Sequence, residues 1–215
     1  MIYKMDEFKK KVILQAETVE FMFELFIENL QRKNEKKLKE IFLLEEKVNT
    51  KEIEIEEDVI GMIALYQPEG KNLRTALMIM KMNNDLERVG DLVSDMANFY
   101  LSDSMGHNFK FLEKLILMCK KSYEMLKESI ESFIKEDPVI AKTVCEKDDF
   151  VDDLHAELRK DIIKYLQKNP TETEEFLNYY NIIFKIERIA DLATNIAEEA
   201  IYLSKGEDIK HGLFG

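Results

Sequence analysis

The sequence predicts an all-α chain of six helices, arranged as two tandem three-helix bundles, and three observations carry that expectation. Apolar residues recur at helical spacing almost throughout the 215 residues. Only 3 prolines and 7 glycines occur, too few for the frequent turns of a sandwich or barrel. A motif also recurs at an offset of 100, with Leu86-Glu87-Arg88-Val89-Gly90-Asp91-Leu92 matching Ile186-Glu187-Arg188-Ile189-Ala190-Asp191-Leu192. The repeat divides the chain into halves at 1–105 and 106–215, each near a common domain size, and suggests packing about a pseudo-twofold axis.

The elements follow in order. Val12, Val19, Met22, Phe23, Phe26 and Leu30 form one stripe of a first helix over about 6–34. A second is carried by Ile41, Leu44, Val48, Ile55, Val59, Met62 and Tyr66, and must stop at Gln67-Pro68-Glu69-Gly70. A third runs from Leu73 through Leu86, Val89, Val93 and Met96 to Tyr100, ending around 102–106. The fourth spans about 108–136, and the fifth begins at Asp137-Pro138, an N-cap residue followed by proline at the first helical position. It reaches Asn169-Pro170. The sixth opens at Thr171 with Glu174 three residues on, the spacing of a capping box, and continues to about Gly206.

Composition limits function. The chain is 46% apolar and 34% charged, with a net charge of −12, which argues against nucleic acid and favours cations or basic protein surfaces as partners. Its 2 cysteines, Cys119 and Cys145, have no zinc-site spacing and read as small core residues in a reducing compartment. No apolar stretch reaches 18 residues, and the N-terminus lacks the apolar core of a signal peptide, so a cytoplasmic protein is expected. Nucleotide-binding glycine loops, HExxH and GxSxG are absent, and His107, His155 and His211 are scattered, so no enzyme is expected. The 11 methionines and 13 phenylalanines read as bundle filler.

The acidic residues carry the chemical signal. With Leu86 and Val89 on the seam of the third helix, Glu87, Asp91 and Asp95 form a ladder on its outer face, and Glu187, Asp191, Asn195 and Glu198 do the same on the sixth. Like charges four residues apart repel, and aspartate is a mediocre mid-helix residue, so such ladders work against the helices that carry them. Glu45, Glu46 and Glu52 flank Val48 on the second helix, and Asp148, Asp149, Asp152 and His155 flank Val151 on the fifth. If these helices lie beside the ladders, several oxygen donors converge on each half, a set suited to divalent or trivalent cations. A solvated acidic face is the plainer alternative. A buried di-iron bundle is excluded because it needs inward-facing acids and two Glu-x-x-His motifs, whereas Asp152-x-x-His155 is the nearest match. Arg88 and Arg188 read as ion-pair partners of neighbouring acids, Asp91 or Asp95 and Asp191 respectively.

These residues resemble the PhoU family. The two motifs at 86–91 and 186–199, the stretch Ile63-Ala64-Leu65-Tyr66-Gln67-Pro68 with Asn72-Leu73-Arg74, and the tail from Ile201 to His211 are similar to the family's patterns. The resemblance implies two three-helix bundles and metal ions held in multinuclear surface clusters by E(D)xxxD motifs. Carried onto this chain, those motifs pair Glu87 with Asp91, Glu187 with Asp191, and Asp148 with Asp152. The motif beginning at Glu45 departs from the pattern, since Asn49 stands where an acid is expected and offers a carbonyl oxygen without charge. The expected ligand set is therefore Glu45, Glu52, Glu87, Asp91, Asp95, Asp148, Asp152, Glu187 and Asp191, for iron, zinc, manganese or magnesium. The resemblance further implies a homodimeric, non-catalytic negative regulator of phosphate uptake and phosphate-starvation signalling. It would bind a phosphate ABC transporter and a sensor histidine kinase, meeting the membrane only through them. The alternative is a metal-independent helical scaffold serving another transport or signalling system.

Overall fold

Each helix ends where its residues make continuation costly. The structure, a computed structural model, describes residues 2–32, 34–102 and 109–206. Six α-helices make up the architecture: α1 (Ile2–Asn29), α2 (Glu35–Tyr66), α3 (Gly70–Leu101), α4 (Leu112–Lys135), α5 (Pro138–Leu166) and α6 (Thr173–Lys205). No strand occurs among the described residues. Ahead of Pro68, Gln67 turns into the left-handed region (φ 43°) while its N–H still bonds the Ile63 carbonyl at 3.0 Å. Asp137 caps α5 as expected, accepting hydrogen bonds from the N–H groups of Val139 and Ile140, with Pro138 in the first turn.

Two ends depart from expectation. The first helix closes at Asn29 rather than near residue 34, because Asn34 is used as the cap of α2, its side chain accepting from the Lys37 N–H. Thr171 does not cap the sixth helix. Pro170–Glu172 instead form a 3₁₀ turn, α6 begins at Thr173, and the Thr173 hydroxyl donates to the Pro170 carbonyl at 2.7 Å. His107, His211, the 207–211 part of the tail and the boundary between 105 and 106 lie outside the described residues.

The helices pack as two triples, α1–α3 and α4–α6, joined through α1 against α4 and α3 against α6. Among the described residues α2 and α5 touch only their own triples, so they are the outer helices. α3 and α6 run antiparallel. Arg74 stacks on Tyr202 near one end, and Lys185 meets Asp95 and Phe99 near the other. The two copies of the repeated motif therefore meet near the middle of this crossing. The halves also match in detail: Lys11 pairs with Asp58 across α1 and α2, and Lys114 pairs with Asp161 across α4 and α5, each residue displaced by 103. Seam residues such as Phe23, Phe26, Ile55, Leu86, Ile186 and Ile196 are fully buried. Cys119 lies in the core, and burial holds its thiol protonated; the Cys145 thiol is pushed up to about 11 by burial and neighbouring acids. No helix among the described residues is long and apolar enough to cross a membrane.

Gly90 tests the equivalence of the halves, since the matching position holds Ala190. A Cβ on Gly90 would meet Val48 Cγ1 at 3.4 Å and Met22 Cε at 3.8 Å, ordinary contacts. Gly90→Ala should therefore stabilise the protein by about 0.5–1 kcal/mol, raising Tm by about 1–4 °C. A lower Tm in calorimetry would show that the first bundle is packed more tightly than the second at this point.

Candidate functional site

The repeated motif supplies the site because α3 and α6 are covered on most sides, so their polar residues are confined to what remains open. On the first half, Glu87 and Asp91 of α3 stand beside Glu45, Asn49 and Glu52 of α2. On the second, Glu187 and Asp191 of α6 stand beside Asp148, Asp152 and His155 of α5. Glu45, Glu52, Glu87, Asp148, His155 and Glu187 are partly buried, while Asp91, Asp152 and Asp191 form exposed rims.

Desolvation and neighbouring charge raise the proton affinity of carboxyls in each set. The Glu87 carboxyl is raised by desolvation first, and then by the charges of Asp91, Glu52 and Glu45. Asp91 is raised by desolvation, Glu45 and Asp95. Across the second half, Asp148 is pushed up to about 6 by burial and by Asp152, Asp191 and Asp149. Glu187 rises through desolvation and the charges of Asp191, Asp152 and Asp148, partly offset by Arg188. Asp191 rises through desolvation and Asp152, opposed by Arg188 and His155. Although Asp91 and Asp191 are on the rim, packed neighbours have displaced enough water for desolvation to lead. Burial lowers His155, which favours the neutral imidazole at pH 7 despite the acids nearby.

Contacts complete each face. Asn49 Nδ2 donates to Glu45 Oε1 at 2.5 Å, so the residue that breaks the acidic pattern holds a carboxylate in place. His155 Nδ1 lies 3.9 Å from Glu187 Oε1, and its Nε2 lies 3.5 Å from the Tyr180 hydroxyl. Asp95 neighbours Asp91 but is paired with Lys185 at 2.5 Å, across the junction of the two triples. Arg88 departs from expectation: it bonds Asp85, three residues earlier, at 3.3 Å, and neither Asp91 nor Asp95. Asp85 is buried and fixed, whereas Asp91 lies on the rim. Arg188 lies over the Phe184 ring at 5.8 Å and acts on Glu187 and Asp191 through its field.

Two neighbours of the second face are not predictable from sequence spacing. Tyr180 reaches His155 from α6, and Arg88 of the first half joins Arg188, Asp148, Asp191, Thr194 and Asn195 around a depression of about 310 Å³. Neither contact leaves a signal in spacing, because both depend on how helices cross. A cation-binding role is chemically consistent with these faces. Their donors are oxygens with one imidazole, and the buried Oδ1 atoms of Asn49 and Asp148 have no hydrogen-bond partner. As the side chains stand, no three His, Cys, Asp or Glu among the described residues converge closely enough to hold a metal ion.

The raised carboxyl of Asp148 has a testable consequence. Its folded value, about 6, lies above the ordinary 3.8, so the folded state holds the proton more tightly and stability falls as pH rises between about 4 and 6. In chelator-treated protein, Asp148→Asn should raise Tm relative to wild type above pH 6, and the gain should vanish below about pH 4. A gain independent of pH, or a loss at pH 7, would mean that Asp148 is not strained by its charge.

Comparison with known proteins agrees with this architecture. The family model described as the PhoU domain matches residues 12–99 and again 115–200. A phosphate-specific transport system accessory protein PhoU homolog of Aquifex aeolicus is 35% identical over 97% of this chain and 94% of its own length. A second such homolog, from Thermotoga maritima, is 32% identical over 96% of this chain and 88% of its own. The crystal structure of the phosphate transport system regulatory protein PhoU from Streptococcus pneumoniae superposes with a TM-score of 0.88 at 27% identity, covering 96% of this chain and 97% of that one. That of PhoU from Pseudomonas aeruginosa, at 23% identity, shares the fold with a TM-score of 0.89 over 94% of this chain and 97% of that one. The duplicated motif, the twin triples and these matches agree, and the chain belongs to the PhoU family.

Proposed function

We propose that this chain is a cytoplasmic accessory protein that restrains phosphate uptake and phosphate-starvation signalling by binding. Its partners on this reading are components of a phosphate ABC transporter and a sensor histidine kinase, and it acts as a homodimer without catalysis of its own. Family membership supports the transport role. The observation that carries the metal-assisted binding is the pair of matched carboxylate sets, each desolvated and mutually repelling, on two halves that otherwise differ widely in sequence. Such strain persists where a bound group relieves it.

On this reading Glu45, Glu52, Glu87 and Asp91 hold metal on the first face, with Asp95 at its edge and the Asn49 carbonyl as a neutral donor. Asp148, Asp152, Glu187 and Asp191 hold it on the second, with His155 beside them. Iron, zinc, manganese or magnesium would supply positive charge, relieving the repulsion and reversing the local sign of a protein whose net charge is −12. The chain's own contribution is to keep the acids on one stripe of rigid helix, partly dry, and to keep His155 neutral. Arg88 and Arg188 border the second face and offer donors to acidic groups of a partner. A second reading has the acids meet a basic partner directly, and the absence of convergence among the side chains favours it.

Metal content separates the two. After incubation with iron(II), manganese(II) or zinc and removal of the excess, wild type should retain stoichiometric metal by mass spectrometry. The variant combining Glu187→Ala with Asp191→Ala should lose the share held by the second face. Partner affinity should then differ between metal-loaded and chelated protein. Metal-free wild type together with unchanged partner affinity would leave the direct acidic contact standing.

A further inference from the structure

We propose that the groove between α1 and α2 of the first half is a docking site for an acidic amphipathic helix of a partner protein. This surface is separate from the carboxylate faces and does not depend on the reading given above. The groove has a volume of about 670 Å³ and a mostly apolar lining, with Leu14 (63% exposed) and Leu43 (60% exposed) at its walls and Gln15 on its floor. Lys11, Lys47 and Lys51 ring it beside Glu46, with Asp58 and Glu54 next to Lys11 and Lys51. Three lysines around exposed leucines stand out on a chain of net charge −12. Lys11 pairs with Asp58 and Lys51 with Glu54, both solvent-exposed pairs of the kind that contribute little and exchange readily. Among the described residues Lys47 has no ion pair.

The groove is particular to this half and does not come with the repeated fold. At the matching positions of α4 and α5, Glu146 replaces Leu43, Phe150 replaces Lys47 and Met118 replaces Gln15. There Lys147 instead bridges to Glu128 at 2.5 and 2.6 Å. Gln15 is itself unusual. It is 3% exposed, its Oε1 has no hydrogen-bond partner, and its Nε2 makes only a long 3.5 Å contact to the Asn83 carbonyl, so the floor keeps an unused acceptor.

Shape and charge together select the occupant. The lining extends from Lys11 to Thr18 along α1, about 12 Å or two helical turns, between antiparallel helices. That is the bed into which a third helix places apolar residues at i, i+4 and i+7, with acids on its flanks reaching the lysines. A symmetric dimer through this face would set lysine rim against lysine rim, which disfavours a second copy.

The test titrates ¹⁵N-labelled protein with a synthetic stapled helix carrying leucines at i, i+4 and i+7 and glutamates on its flanks, beside a twin with lysines in place of the glutamates. The acidic helix should bind saturably and shift amides of residues 11–18 and 43–51, and the lysine twin should not. Lys47→Glu and Leu14→Asp should each weaken binding about tenfold or more. Leu117→Asp on the second half should leave it unchanged. Both first-half positions are solvent-exposed, and unchanged circular dichroism of the variants confirms that they fold. Three results would overturn the proposal: no binding, equal binding of the two helices, or variants as tight as wild type. A fall in molecular mass by light scattering in Leu14→Asp would assign the face to a second copy instead.

Discussion

The contact of α3 with α6 governs the rest of the molecule. Each of these helices packs against two partners in its own triple and against the other across the centre. α3 buries Ile79, Met82, Leu86, Val89, Val93 and Met96 on one side, with Ala76, Gly90 and Ala97 allowing close approach. α6 is more apolar still, burying Ile182, Ile186, Ile189, Ile196 and four alanines. Helices covered on so many sides have a narrow outer stripe left for charge, and Glu87 with Asp91, and Glu187 with Asp191, lie on it. The outer helices α2 and α5 supply the remaining donors because they flank that stripe. The carboxylates are thus gathered by the need to bury everything else, and desolvation first, then their mutual charge, raises their proton affinity.

A structure that only had to be stable would not keep this arrangement. Short acids in mid-helix, held together and partly dried, weaken the helices that carry them. The molecule keeps them on both halves while exchanging their neighbours freely: Glu52 for His155, Asn49 for Asp152, Asp95 for Asn195. The two faces are therefore related without being equivalent. The second has a depression bordered by arginines from both halves and an imidazole held neutral. The first has an amide fixing one carboxylate and an aspartate tied to Lys185. Strain retained while its details vary is expected of a surface selected for contact with something outside the chain.

The sequence reveals more of the fold than of the sites. Periodicity, the proline stops and the repeat are local or internal signals, and they lead directly to six helices in two triples. Ends set by competition were harder to read. Asn34 serves α2 and so shortens α1, and Pro170 tightens a 3₁₀ turn that takes Thr171 out of the helix. The acidic residues were legible as a pattern, because heptad position places them opposite the seam. Which of them share a field was not, since Glu45 acting on Asp91, or Asp191 on Asp148, depends on the rotation of one helix about another. Arg88 shows the limit most clearly. Spacing allows it an acid three residues ahead or three behind, and only the burial of Asp85 decides between them. The groove between α1 and α2 is invisible until the helices are side by side.

On the proposed reading the two carboxylate faces are cation sites whose repulsion is relieved by a bound ion. The most direct measurement is an anomalous difference map from crystals soaked in manganese(II). If the faces hold cations, peaks appear on both, one among Glu45, Glu87 and Asp91 and one among Asp148, Asp152, Glu187 and Asp191, with the side chains drawn in around them. Well-ordered carboxylates on both faces without anomalous density at either would contradict that reading.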